Sequence, residues 1–111
     1  MITDDQIEAE LDKMRANIIP SAQARADRYH LEKFRESQKA MIMKEIAEVN
    51  FGMPIAAQER DALCHPKYLE LLKGIRDAVF EDERLRNEDI VASKTIDAWQ
   101  TMSANIRGMK I

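Results

Sequence analysis

The chain has 111 residues, of which 45% are hydrophobic, 33% are charged and only 5% are aromatic, and its formal net charge is −3. The length predicts a single helical domain over 1–111, and the charge excludes a general attraction to nucleic acid or to an anionic membrane. No apolar run approaches the ~20 residues of a membrane span, and the acidic N-terminus does not resemble a signal peptide. With a single cysteine, Cys64, the chain fits a reducing compartment, so we expect a cytoplasmic location.

The first predicted element begins at a capping box. Thr3 and Gln6 have the required spacing, so a helix should start at about Asp4 and run to about Ile18. Pro20 then predicts a kink or a tight turn, although a proline also suits the first position of a following helix.

A long amphipathic helix is predicted from Ser21 to about Val49, a stretch without glycine or proline. Its apolar residues fall within about 100° of arc on a helical wheel. They are Leu31, Phe34, Met41, Ile42 and Val49. The segment 50–54 should end this helix, because Gly52 suits a left-handed cap and Pro54 cannot continue the backbone ladder.

Two further helices are predicted, a short one at about 55–63 and a longer one that begins with Pro66 at its first position. The longer helix carries two apolar stripes that are out of phase. The first comprises Tyr68, Leu71, Leu72, Ile75, Ala78 and Val79, and the second, here called the C-terminal stripe, comprises Ala92, Ile96, Trp99, Met102 and Ile106. We expect a break or bend near Asn87, giving helices at 66–84 and 88–110, although one continuous rod is the alternative. The predicted fold is therefore all-α, a helical hairpin or bundle of three to four helices with long amphipathic helices.

The sequence contains no recognisable set of catalytic or metal-binding residues. Cys64 and His65 are adjacent and diverge, which predicts a partly buried thiol and a residue at a helix start. Asp27 and His30 have the i, i+3 spacing of a carboxylate-bundle metal site, but such a site needs the pair twice and two more carboxylates. The glycines are isolated and form no phosphate loop. We therefore expect a protein that is not an enzyme and that uses neither a cofactor nor a metal.

A local excess of positive charge lies within the predicted helix at 21–49. Residues 21–44 contain six basic and three acidic residues, and four of the basic ones share about 80° of arc. These four, here called the basic ridge, are Arg25, Arg28, Arg35 and Lys39. They could contact a nucleic-acid backbone, but Glu32 and Glu36 should pair with Arg35 and Lys39, which favours a solvated, self-paired face.

The C-terminal stripe is the predicted interface of a homo-oligomer, with a dimer expected first. If the helix is straight, one neighbour within the chain cannot bury both stripes, so the second stripe should find another chain. Trp99 is its largest residue and is typical of an interface anchor, although a position in the core of its own chain is the alternative. Thr95, Ser103 and Asn105 would then fix the register of the pairing.

Two segments, His65-Pro66-Lys67-Tyr68-Leu69-Glu70-Leu71-Leu72-Lys73-Gly74 and Trp99-Gln100-Thr101-Met102-Ser103-Ala104-Asn105-Ile106-Arg107, resemble small helical proteins of unknown function from tailed bacteriophages and prophages. The resemblance covers the C-terminal half and implies no functional residue. Together with the helical faces it predicts a non-enzymatic interaction module that acts by self-association, as in a coiled coil, or by docking on a phage or host protein. The alternative is a nucleic-acid-linked accessory protein of phage recombination or replication.

Overall fold

The structure, a computed structural model, describes residues 1–109 and confirms that the protein is all-α. In that range there are three helices and no β-strand: α1 spans Asp4–Val49, α2 spans Ile55–Leu63 and α3 spans Pro66–Met109. None of these helices is long and apolar enough to cross a bilayer. Residue 110, the predicted end of the last helix, lies outside the described residues.

The start of α1 is the predicted capping box. The backbone N–H of Thr3 donates to Gln6 Oε1 at 2.8 Å, and the N–H of Gln6 donates to Thr3 Oγ1 at 3.2 Å. Asp4 and Asp5 lie in the first turn, where a negative charge interacts favourably with the positive end of the helix dipole. The local sequence therefore determines where α1 begins.

Pro20 does not end the helix, so the predicted tight turn and the helix ends near Ile18 and Ser21 are wrong. The residue lies inside α1, which continues to Val49. A proline in a helix interior removes one backbone hydrogen bond and costs about 3 kcal/mol. Packing offsets this cost, because Ile7 and Ala24 are buried on either side of the proline.

The predicted end of the long helix is confirmed at Val49, and a hydrogen-bonded turn follows it. The N–H of Met53 donates to the carbonyl of Asn50 at 3.3 Å, and Gly52 has φ of +82°, which a side chain would strain. Gln58 Nε2 donates to the carbonyl of Met53 at 2.9 Å, so α2 itself holds the turn. The predicted short helix at 55–63 is also confirmed.

Helix α3 begins at Pro66 as predicted, but the break expected near Asn87 is absent. The helix is continuous to Met109, so the segments 66–84 and 88–109 belong to one element. Asparagine inside a helix costs only about 0.7 kcal/mol relative to alanine, which is too little to end a helix that packs on both sides of it. Asn87 therefore lies inside α3 and does not begin a new helix.

The described chain divides into two compact units. One contains Met1–Gln23 and the described residues from Asp82 onward, and the other contains Ala24–Glu81. In the second unit Ile42 is buried against Ala62 and Tyr68, and Met43 and Ile46 pack around them. Lys39 Nζ lies 2.9 Å from Glu59 Oε1 and Lys67 Nζ lies 3.4 Å from Glu45 Oε1, and these ion pairs connect α1 to α2 and α3.

In the first unit the start of α1 pairs antiparallel with the end of α3. Asn17 Nδ2 donates to Glu88 Oε2 at 2.9 Å, and Trp99 Nε1 donates to Asp4 Oδ1 at 3.3 Å. Each of the two stripes of α3 therefore packs on a segment of α1 within its own unit. Helix α1 therefore offers a packing segment to each stripe, and the oligomer interface at the C-terminal stripe stays a prediction.

The predicted stripe on residues 21–49 is only partly buried. Ile42 is buried and Leu31 and Phe34 are half-buried, but Met41 and Val49 are exposed. Over all described residues the buried hydrophobic side chains are Ile7, Ala24, Ile42, Ala62, Tyr68, Leu85 and Ala92. Three of these seven are alanines, and only two, Ile7 and Ile42, are aliphatic residues of α1 that are larger than valine. The hydrophobic core is therefore small.

Candidate functional site

The C-terminal stripe changes from buried to exposed along its length. Ala92 is completely buried, Ile96, Trp99 and Met102 are half-buried, and Ile106 is 37% exposed. The buried part faces the first turns of α1, as the hydrogen bond from Trp99 to Asp4 shows. An intramolecular position therefore accounts for the first half of the stripe, while Trp99, Met102 and Ile106 keep an accessible edge.

Two grooves run beside Trp99. One has a volume of about 340 Å³ and is lined by Met1, Ile2, Thr3, Asp4, Trp99, Met102, Ser103 and Ile106. The other has a volume of about 480 Å³ and is lined by Trp99, Gln100, Ser103, Ile106 and Arg107. Both are open and are large enough for one or two side chains of another helix.

The polar residues beside the stripe have different surroundings. Thr95 Oγ1 donates to the carbonyl of Val91 at 2.9 Å, a bond within its own helix. The hydroxyl proton of Thr95 is therefore already used, whereas Ser103 lines both grooves and Asn105 is exposed. A role of Ser103 and Asn105 in fixing register stays a prediction.

The basic ridge is partly neutralised, although not by all of the expected pairs. Arg28 Nε lies 3.0 Å from Glu32 Oε1, so Glu32 pairs with the arginine four residues earlier and not with Arg35. Lys39 Nζ lies 2.9 Å from Glu59 and 3.9 Å from Glu36, which was the expected partner. The closer partner of Lys39 is Glu59, which lies in α2. Tertiary packing, and not helical spacing, therefore brings this partner to Lys39.

The ion pair with Glu59 also changes the titration of Lys39. The hydrogen bond to this carboxylate, followed by its negative charge, raises the pKa of Lys39 above the usual 10.5, although partial burial acts in the opposite direction. Because the folded state favours the charged amine, the pair stabilises the fold at neutral pH. This contribution declines only as pH rises through the raised pKa. At neutral pH Lys39 is therefore a fixed structural cation.

Arg25 and Arg35 are the exposed members of the ridge. In the part of the chain that the structure describes, no ion pair involves either guanidinium. A phosphate could reach both side chains without displacing an internal carboxylate, which is not true of Arg28 or Lys39. The ridge thus offers two accessible cations where the sequence suggested four.

Of the two histidines and the cysteine, His30 lies at a small cavity, His65 at a helix start and Cys64 at a helix end. Asp27 and His30 line a cavity of about 300 Å³ with Ala24, Leu31, Ala78 and Glu81, and the His30 ring stacks on Phe34 with centroids 6.2 Å apart. Among residues 1–109 no group of three or more His, Cys, Asp or Glu side chains is arranged to hold a metal ion. Cys64 is exposed, so the predicted partial burial is wrong: the residue caps the C-terminus of α2 and its side chain faces solvent.

His65 is the predicted residue at a helix start, and the structure gives the contact. The N–H of Lys67 donates to His65 Nδ1 at 3.1 Å, so the ring caps one of the unpaired N–H groups at the start of α3. The role of this imidazole in the fold is therefore a helix cap.

An exposed apolar surface at the turn between α1 and α2 was missed from the sequence. It comprises Val49, Phe51 and Ile55, here called the turn patch, whose residues are 81%, 93% and 72% exposed. Phe51 gave a signal that could have been used. An aromatic residue inside a segment already predicted to be a turn has no helical face to join, so it must be covered by another contact or remain exposed.

Comparison of the chain with protein families, curated proteins and solved structures gave no match.

Proposed function

We propose that the protein is a non-enzymatic helical interaction module that acts by self-association or by docking a helical face on a partner protein. The observation that supports this proposal most is the large solvent-accessible surface of the chain. The chain exposes 8304 Å², whereas a folded monomer of 12.8 kDa exposes about 6300 Å². The difference, about 2000 Å² for one chain, exceeds the roughly 800 Å² that each partner contributes to a standard protein interface.

The composition of that surface supports the same function. Large apolar side chains that a compact domain would bury are more than half exposed, among them Ile18, Ile19, Phe80 and Val91 as well as the turn patch. Covering apolar surface contributes about 25 cal/mol per Å², so a partner that covers even part of it gains substantial binding free energy. A catalytic module would instead need convergent polar groups in a pocket.

The proposal includes an origin and a location. The resemblance of the C-terminal half to small helical phage and prophage proteins favours a phage or prophage protein that works in the host cytoplasm. It also includes the expected single domain of three to four amphipathic helices. A phage or host protein is then the partner in the docking form of the function.

A mass measurement tests self-association through the accessible edge of the C-terminal stripe. Trp99 and Ile106 line both grooves, while Ala92 is covered by its own chain and reaches a partner only if α3 separates from α1. We expect light scattering coupled to size exclusion to give twice the 12.8 kDa chain mass at micromolar concentration. The double variant Trp99→Ala with Ile106→Ala should shift this species toward the monomer. A wild-type mass of one chain would exclude self-association.

A second candidate function is contact with nucleic acid in phage recombination or replication. The accessible guanidinium groups of Arg25 and Arg35 favour it, because both could neutralise phosphates. The internal pairing of Arg28 and Lys39 opposes it. The dependence of DNA affinity on salt separates the two candidate functions.

A further inference from the structure

The two grooves at the end of α3 share three of their lining residues. Trp99, Ser103 and Ile106, here called the shared ridge, border both grooves. Residues at these spacings lie on one face of a helix. Two helices pack by placing the ridges of one in the grooves of the other, and both shapes are present here. The end of α3 therefore has a surface of the kind that a second helix covers.

The groove of about 340 Å³, here called the acceptor groove, has residues 1–4 as one of its sides. The capping box of Thr3 and Gln6 and the hydrogen bond from Trp99 to Asp4 hold these residues in place. Ile2 is half-buried just before the capping residue, which is the position of a hydrophobic staple. The acceptor groove therefore exists before anything binds, and this lowers the entropic cost of filling it.

The acceptor groove is apolar apart from one charged side chain. Met1, Ile2 and Met102 line it together with the shared ridge, and Asp4 is the only charged residue among its lining residues. Asp4 Oδ1 accepts from the indole of Trp99, but a carboxylate can accept several hydrogen bonds, so Asp4 can also bind a cation. The groove therefore fits an apolar side chain that has a positive charge beside it.

The other groove, of about 480 Å³, presents this combination. Ile106 and Arg107 are adjacent in sequence and both line it. Arg107 is exposed, and within residues 1–109 no ion pair involves its guanidinium. It lies two helical turns beyond Trp99, about 12 Å along α3, so the carboxylate next to Trp99 is not its partner within the chain. The positive charge of Arg107 is therefore available to another molecule.

We propose that the acceptor groove binds Ile106 and Arg107 of a second copy of this chain, and that Arg107 of each copy pairs with Asp4 of the other. This inference rests on the self-association form of the proposed function and names the charged contact that selects a second copy. Because the shared ridge borders both grooves, a two-fold axis over Ser103 can form both contacts between the same two copies. The contacts then close as a dimer.

The distribution of charge favours a second copy over a partner with a single sign of charge. The acceptor groove carries a carboxylate and the other groove carries a guanidinium. A wholly acidic or wholly basic partner would meet a like charge on one of the two sides, which is unfavourable. A second copy brings the opposite charge to each side.

Charge reversal tests the contact, with the dimer dissociation constant measured by sedimentation. Arg107→Glu and Asp4→Lys should each raise this constant at least ~10-fold, because each variant places like charges together at both symmetric contacts. An equimolar mixture of the two variants should recover a constant within about threefold of the wild type, because both contacts of the mixed dimer join opposite charges.

The matched control is Lys94→Glu, which makes the same change of charge at an exposed position of α3 that lines neither groove. It should leave the dissociation constant within about threefold of the wild type, because isolated surface charges contribute little. Circular dichroism checks that every variant keeps its helical content.

A zero-length cross-link is a second test that leaves Asp4 unchanged, and it decides if Asp4→Lys does not fold. Carbodiimide treatment of Arg107→Lys should join the introduced amine to the carboxylate of Asp4 in a covalent dimer. Mass spectrometry of the linked peptides identifies the two positions. A covalent dimer joined only through other positions would contradict the inference.

The outcomes separate this inference from the proposed function. A monomeric wild type overturns both. A wild-type dimer that dissociates with Trp99→Ala and Ile106→Ala but does not respond to Arg107→Glu overturns only the contact between Asp4 and Arg107. A dimer that resists all of these changes places the interface elsewhere and also overturns the inference alone. Folded single variants whose mixture does not recover have the same meaning, because their effect then lies within each chain.

Discussion

His65 caps α3 with a ring nitrogen where most helices use a hydroxyl or a carboxylate. The bond to the N–H of Lys67 reaches the second helical position, because Pro66 occupies the first and has no N–H to satisfy. Together the two residues leave no unpaired N–H group at the first two positions of α3. Pro66 removes an unpaired donor, and His65 accepts from the next.

We expect His65→Ala to destabilise the protein by about 1 kcal/mol, the usual cost of losing an N-cap acceptor. His65→Asp should recover the loss, because its carboxylate can accept the same bond and lies near the positive end of the helix dipole. Urea unfolding followed by circular dichroism gives both values. If alanine and aspartate were equally stable, the contact between His65 and Lys67 would contribute nothing to the fold.

At the scale of the elements, α1 and α3 each continue through a position at which helices usually end. Pro20 and Asn87 are such positions, yet packing on both sides keeps each helix continuous. Helix ends, in contrast, follow local chemistry at Thr3, Gly52 and Pro66. Helices of this length gain more from tertiary contacts along their sides than they lose at one unfavourable residue.

This contrast explains what the sequence could predict. The capping box, the turn at Gly52 and the proline start of α3 depend on residues within a few positions of each other, so their prediction succeeded. The continuity at Pro20 depends on distant packing that no local pattern encodes. The buried half of the C-terminal stripe is a similar case, because Trp99 reaches Asp4 only once α1 and α3 are paired. The exposure of Phe51 likewise depends on which segments pack near the turn, and no local pattern encodes that packing.

Asn87→Ala tests the continuity of α3 by the sign of the change in the free energy of unfolding. In a continuous helix alanine is favoured over an exposed asparagine by about 0.7 kcal/mol, so the variant should be more stable. At a broken helix the same change would remove an N-cap and cost about 1 kcal/mol. Asn105→Ala, at another exposed position of α3, is the control and should gain a similar amount. Urea unfolding of both variants decides, and a destabilised Asn87→Ala beside a stabilised Asn105→Ala would place a helix end at 87.

At the scale of the whole molecule, a thin core and a large exposed apolar surface occur together. Alanines fill several of the buried positions, so α1 and α3 can approach closely but bury little area per residue. A chain built in this way gains stability when a partner adds buried area, which links its folding free energy to assembly. Ion pairs such as that of Lys39 with Glu59 orient the helices without enlarging the core.

The net charge of −3 sets the expected strength of any contact with DNA. Only Arg25 and Arg35 are accessible on the basic ridge, and each phosphate contact contributes about −0.9 to the slope of log affinity against log salt. We therefore expect a labelled duplex to bind more weakly than ~1 µM at about 150 mM salt, with a slope near −2 and not the slope near −4 that four contacts would give.

Arg25→Gln with Arg35→Gln should remove the residual binding. Lys13→Gln with Lys94→Gln changes the net charge equally at exposed positions outside the ridge and should preserve it. Sub-micromolar affinity with a slope near −4, lost only in the arginine pair, would mean that DNA displaces the carboxylates from Arg28 and Lys39, and it would make nucleic-acid contact the leading function.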